Sequence, residues 1–205
     1  MYHLPADYQH PSHDHTDLTW IRPLKAPDRE DHHQVHGLKL RKTDILKIID
    51  EALAKLPHRD DIKVAMTVSL DDPVVWVDHE LMVSAFLDLS QNAFEAMEGG
   101  GILTVTITGN DQQVQIDLAD TGTGITEENM NLLFTPFFTT KPIGDGTGLG
   151  LATAYATMKI HGGTLSVDSN ADPRKGVTGT TVSLSFPRRM IFQGEKARLI
   201  VHDDD

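Results

Sequence analysis

The chain has 205 residues, a formal net charge of −12, 39% hydrophobic and 23% charged residues, and no cysteine. That length supplies ample material for one core, while the missing thiols exclude disulfides and thiolate metal sites and suit a reducing, cytoplasmic compartment. The negative charge disfavours non-specific binding to nucleic acid or acidic membrane surfaces, and no apolar run approaches the roughly 18 residues a membrane span needs.

Residues 1–36 hold seven of the eleven histidines, with Pro5, Pro11, Pro23 and Pro27, and show almost no apolar periodicity. This reads as a poorly ordered or loosely docked segment, and the histidine spacings fit no standard metal motif. From Leu38, LKLRK predicts a short strand, and Thr43 or Asp44 then caps a helix to Leu56. Ile45, Ile49, Ala52, Leu53 and Leu56 share one face of that helix. In IKVAMTVSL, the residues Ile62, Val64, Met66, Val68 and Leu70 alternate, which predicts a half-buried strand; VVWV predicts another.

A long helix is expected from about Asp78 to Met97. Leu89, Ala93, Ala96 and Met97 form its buried stripe, and Asp88 and Asn92, at i and i+4, stack beside that stripe. A carboxylate and an amide at the border of a core stripe need a reason beyond packing. GILTVTITGNDQQVQIDLAD then predicts a hairpin around Gly109, Asn110 and Asp111. A Gly-, Thr- and Pro-rich region from Gly122 to Gly148 carries one short helix near Glu127–Leu133. A helix from Leu149 to His161 stops at Gly162, and two strands, about 163–169 and 178–186, complete the set. The inventory predicts an α+β fold, a two-layer α/β sandwich whose mixed, mostly antiparallel sheet carries helices on one face.

Three glycine-bearing segments could carry chemistry. In ADTGTGIT, Gly122 and Gly124 allow close backbone approach, and Asp120 at a strand end can accept from an exocyclic amine. A tight turn with a solvated aspartate would explain the same residues. In GDGTGLGLAT, Gly146, Gly148 and Gly150 leave N–H groups free where a helix begins, a natural place for phosphate oxygens. It is not a Walker A loop, because no Lys-Ser or Lys-Thr follows. In TPFFTTKP, Phe137 and Phe138 need something to pack on, and burying both in the core is one solution.

The order QNAFEAM, DTGTG, PFFTTK, GTGLGL and GTTVSLSFP closely resembles the ATP-binding catalytic domain of sensor histidine kinases. That family groups with gyrase, the mismatch-repair ATPase and the heat-shock chaperone ATPase as GHKL proteins. The resemblance covers roughly Leu38 to Pro187 and implies three parts: a segment 1–36, a catalytic domain 37–188 with a flexible ATP lid, and an acidic tail 189–205. It implies that Asn92 ligates the Mg²⁺ bridging the phosphates of ATP, and that Asp120 accepts from the adenine amino group. Phe137 and Phe138 would anchor the lid; Gly146, Thr147, Gly148, Leu149 and Gly150 would cradle phosphates, and Lys141 could touch them. Thr180 would reach adenine, often through water.

The implied reaction moves the γ-phosphoryl of ATP to a histidine on a dimerisation domain, from which a response-regulator receiver domain is served. His13-Asp14 is distantly similar to the phosphoacceptor box, but Pro11 and Pro23 crowd it and the interval to Asn92 is too short for a complete helical hairpin. EKARLIVHDDD resembles the opening of a receiver domain, as in a hybrid kinase; an acidic tail explains it equally. Two other readings stay open. Asp88 stands where the gyrase-like ATPases place a water-activating carboxylate, so the domain could hydrolyse ATP. A pseudokinase that only binds nucleotide is the other.

Overall fold

The computed structural model describes residues 34–35, 38–142, 146–189, 192–193 and 196–197. Residues 1–33 of the histidine-rich segment, with the His13-Asp14 pair, and likewise Gly144 and the acidic C-terminal run lie outside them. In chain order the elements are β1 (Gln34–Val35), β2 (Leu38–Asp44), α1 (Ile45–Ala54), β3 (Ile62–Ser69), β4 (Val74–Asp78), α2 (His79–Ala96) and β5 (Gly101–Gly109). Then follow β6 (Gln113–Asp120), α3 (Glu127–Met130), α4 (Gly150–Ile160), β7 (Thr164–Asn170), β8 (Gly179–Pro187), β9 (Phe192–Gln193) and β10 (Lys196–Ala197).

Alternation decides the main sheet, whose strand order is β3-β5-β6-β8-β7. One face presents Leu103, Val105, Ile107, Val114, Ile116, Leu118, Leu165, Leu184 and Phe186, all buried. The intervening threonines and serines of β5 and β8 point to the other face, which is polar. Only β3 and β5 run parallel; the remaining pairs are antiparallel. Helices α2 and α4 lie on the apolar face, and α1 packs on α2. This is the two-layer arrangement that the element order implied.

The strand expected in LKLRK is β2, which pairs antiparallel with β4, and β1 completes a separate three-stranded sheet. One expectation needs correction. The alternating face of β3 is not half-buried along its length, since Val64, Met66 and Val68 are each more than 40% exposed. β3 is an edge strand with a neighbour on one side only, so periodicity identified its inner face without revealing that little covers it. Arg188 ties the two sheets together. Its Nη1 donates to the Val74 carbonyl at 3.0 Å, its Nε to the Asn110 carbonyl, and its own carbonyl accepts from Trp76 N–H at 2.8 Å.

Helix α2 is the long element of the helical layer because both its ends are capped and most of its circumference is apolar. Asp78 starts it, accepting from the Leu81 N–H at 3.3 Å and the Lys39 N–H at 2.8 Å. Met82, Val83, Ala85, Phe86, Leu89, Ala93 and Phe94 are buried along it, each large side chain contributing about 1.5–3 kcal/mol by leaving water. At its far end the Arg59 guanidinium donates to the carbonyls of Phe94, Met97 and Glu98, at 3.1, 3.0 and 3.2 Å. A cation there meets the negative end of the helix dipole. No helix among the described residues is long and apolar enough to cross a membrane.

His161 links the end of α4 to the start of α2. Its ring is buried, its Nδ1 lies 2.7 Å from the Thr157 carbonyl, and its Nε2 accepts the Asp78 N–H at 2.9 Å. An Nε2 that accepts cannot carry a proton, so the ring is the neutral Nδ1–H tautomer. Burial holds its pKa below the ordinary 6.5, opposed by the Thr157 hydrogen bond and nearby Asp78. The unfolded chain therefore takes up this proton first, and folding stability falls as pH drops below about 6.5. Thermal midpoints of wild type and His161→Gln between pH 8 and 5 check this: the wild-type curve should fall more steeply on the acid side, whatever the offset between the two proteins.

Candidate functional site

The site begins where the apolar rows of the sheet give way to a polar one. Strand register sets Asp120 of β6 opposite Thr180 of β8, and Thr180 opposite Ser169 of β7. These three continue the inward faces that Leu118, Val182 and Val167 occupy one pleat earlier, so they project toward the helices. The Gly122 N–H donates to Asp120 Oδ1 at 2.8 Å and the Thr180 N–H donates to the same oxygen at 3.2 Å. Oδ2 takes no hydrogen bond from the described residues. Burial pushes the Asp120 carboxyl up from its ordinary value, against the two N–H donors. An accepting group that is partly desolvated and half-satisfied is suited to a polar ligand donor.

Ser169, which the sequence reading did not single out, fixes the role of Thr180. The Ser169 hydroxyl donates to the Gly179 carbonyl at 2.9 Å and its oxygen accepts the Ile125 N–H at 2.8 Å. Its only proton is thereby used, so in the 2.9 Å contact between the two hydroxyls Thr180 is the donor. The buried Thr180 Oγ1 is left as an acceptor alone. Period-two alternation through Leu165 and Val167 does point to Ser169, and it was the available signal.

Two glycines let the β6–α3 connection fold against its neighbours. A Cβ on Gly122 would lie 2.6 Å from the Ala96 carbonyl oxygen, and one on Gly124, at φ +73°, would lie 2.1 Å from that of Asn170. The Thr123 N–H donates to Ala96 O at 3.1 Å, fastening this turn to the end of α2. The second wall is α2 itself. Leu89, Ala93 and Met97 are buried, Ala96 is half-buried, Asp88 is half-buried and Asn92 is exposed. Asp88 faces the first turn of α4: a Cβ on Gly150 would stand 3.3 Å from its Cβ and 3.5 Å from its Cγ. Burial raises the Asp88 carboxyl as well.

Residues 131–142 and 146–149 form the third side. Phe137 does not plug the core; its side chain is 74% exposed and its backbone is left-handed at φ 68°. Its N–H donates to the Gly148 carbonyl at 2.9 Å, and Gly148, at φ 64°, has no room for a Cβ against the Phe137 backbone. Phe138 is half-buried. The ring contact in this region is Phe134 with Tyr155, centroids 4.7 Å apart, and neither ring was anticipated. Thr147 Oγ1 accepts the Leu149 N–H at 3.3 Å, just ahead of Gly150 at the start of α4. Lys141 crosses to α2, donating to Asn92 Oδ1 at 3.4 Å and forming an ion pair with Glu95.

The family model described as "Histidine kinase-, DNA gyrase B-, and HSP90-like ATPase" matches residues 77–190. The chain belongs to that family. The matched region is a catalytic domain of the histidine-kinase type, homologous to those of sensor kinases. The sensor histidine kinase ZraS of Escherichia coli K12 is 33% identical over 154 residues, which is 73% of this chain and 31% of ZraS. The mycobacterial sensor histidine kinase MprB superposes with a TM-score of 0.64 at 31% identity, covering 73% of this chain and 98% of that structure. Full-length ShkA in complex with AMPPNP gives a TM-score of 0.63 at 25% identity, with 75% of this chain and 32% of ShkA covered. The chain thus spans about a third of the length of ZraS.

The glycine geometry makes a stability prediction. Gly124→Ala adds a Cβ both to a left-handed backbone and to a carbonyl contact, and should cost about 2 kcal/mol or more in urea unfolding. Gly99→Ala, where nothing lies within 4 Å of the added carbon, should stay within about 0.5 kcal/mol of wild type.

Proposed function

We propose that this domain binds ATP between the polar row of the sheet, α2 and the loop before α4, and donates its γ-phosphoryl group to a histidine on a dimerisation domain. The observation that carries the reading is Asp120: one carboxylate oxygen is fixed by two backbone N–H groups while the other is left for a ligand. A purine with an amine at C6 fits such an acceptor; guanine presents a carbonyl at that position and meets it with repulsion. Thr180 offers a second acceptor beside it, and Gly122 and Gly124 bring the backbone alongside the base. Gly146, Thr147, Gly148, Leu149 and Gly150 lie where α4 starts, so the helix dipole and the N–H groups there other than that of Leu149, which Thr147 Oγ1 takes, suit phosphate oxygens.

The residues present fit a phosphate-borne cation. Among the described residues no three His, Asp or Glu side chains converge as a metal cage. Mg²⁺ characteristically needs no such cage, binding through phosphates and one or two protein oxygens. Asn92 Oδ1 already holds one cationic group, the Lys141 ammonium. When bound, Mg²⁺ would neutralise charge on the phosphates. The protein's own share is positioning: Asp120 sets the base, α2 and the start of α4 set the phosphates, and the acceptor histidine is brought by the partner domain. A receiver domain of a response regulator is the expected onward partner. Hydrolysis through Asp88 is not the reading adopted, since the relatives named above are kinases.

Calorimetry on the intact chain with AMPPNP and with GTP, each with Mg²⁺, tests the reading. Asp120→Ala should weaken AMPPNP by about tenfold to a hundredfold, the worth of a hydrogen bond to a charged group, and wild type should prefer AMPPNP to GTP. Asn92→Ala should weaken binding only when Mg²⁺ is present. Equal affinity for the two nucleotides, or an Asp120→Ala variant that binds like wild type, would rule the adenine assignment out. Phosphate transfer to a separately supplied dimerisation domain, lost on Asn92→Ala, would complete the assignment.

A further inference from the structure

Glu95 lies one helical turn after Asn92 on α2 and has no counterpart among the roles assigned above. Its two carboxylate oxygens are both engaged. Gln91 Nε2 donates to Oε1 at 3.2 Å, an i,i+4 contact that orients the group, and Oε2 takes the Lys141 ammonium. The same ammonium reaches Asn92 Oδ1 at 3.4 Å. Two oxygens from one helix face therefore converge on a single cation, and that cation is supplied by the loop. The lysine is steered there by its surroundings: the Lys141 N–H donates to Thr139 Oγ1 at 3.1 Å, and its stem passes Gly146 so closely that a Cβ there would sit 2.9 Å from Lys141 Cδ. Glu95 and Lys141 side chains are 37% and 34% exposed, so water and ions reach the pair.

We propose that Glu95 is a second protein oxygen of the cation seat and that Lys141 is its tethered occupant, exchanged for a divalent ion when the nucleotide binds. The proposal rests on the nucleotide site described above. Asn92 Oδ1 and Glu95 Oε2 are hard oxygens suited to Mg²⁺ or Mn²⁺. One seat cannot hold an ammonium and a divalent ion together, because like charges at contact distance repel. Entry of the divalent ion therefore ejects Lys141, which becomes a free cation on the phosphate side of α2. Glu95 thus touches whichever cation occupies the seat.

Mn²⁺ binding to the intact chain, followed by electron paramagnetic resonance without any nucleotide, tests the exchange. Lys141→Met should raise Mn²⁺ affinity by about tenfold, the scale on which neighbours of a metal site act. Adding Glu95→Gln to Lys141→Met should abolish that gain, while Lys141→Arg should bind Mn²⁺ as weakly as wild type. An unchanged affinity in Lys141→Met, or a gain that survives Glu95→Gln, overturns the proposal. These arms contain no nucleotide, so a failure of the adenine assignment, read from AMPPNP calorimetry on wild type, is distinguished from a failure of the exchange. Thermal midpoints of each variant verify that the fold is intact.

Discussion

The register between β6 and β8 is the constraint on which the rest of the site depends. It places Asp120 opposite Thr180 on the face that carries Leu118 and Val182 one pleat earlier. A slip of one residue would turn Asp120 outward and bring Ala119 into the pocket, since side chains alternate across a strand. The same slip would expose Ile116 and Leu118, which are almost fully buried. The apolar core thus enforces the position of a polar group. Burial raises the Asp120 carboxyl and the two backbone N–H groups hold it in place, so the fold sustains a half-satisfied acceptor at the margin of its core.

Helix α2 performs the complementary task. One side of it fills the space above the sheet with Phe86, Leu89 and Ala93, while Asp88, Asn92 and Glu95 stand along its border. Because the Asp78 cap and the Arg59 guanidinium fix both ends, the border residues are held at defined heights above the sheet. His161 adds a crosspiece from α4 to the cap residue itself. Among the described residues of the loop before α4, Lys141 reaches across to α2 through polar contacts, to Asn92 and to Glu95. Polar links of this kind exchange readily with solvent ions; packed seams do not.

Much of this was legible in the amino-acid sequence because two signals agreed. Alternation located β5, β6 and β8 almost to the residue, and the helical stripe located α2. Glycines at Gly122 and Gly124 pointed to close backbone approach, and the structure supplies the carbonyls they approach. What was not legible depends on contacts distant in sequence. Nothing local in LKLRK says that β2 pairs with β4, nor does the alternation of β3 say that the sheet ends there. Phe137 was expected to anchor its loop, yet Phe134 against Tyr155 makes the ring contact while Phe137 faces solvent. His161 and Arg188 act through partners found only once the chain is folded.

The central claim is that Asp120 reads the amino group of adenine, and a change in the ligand tests it without disturbing the protein. Competition binding on the wild-type chain would compare ATP with purine riboside triphosphate, which lacks the 6-amino group and is otherwise the same. Loss of a hydrogen bond to a charged acceptor predicts that the nucleotide without the 6-amino group binds about tenfold to a hundredfold more weakly. Equal affinity of the two would contradict the claim, because the carboxylate that the register places in the pocket would then have no part in choosing the base.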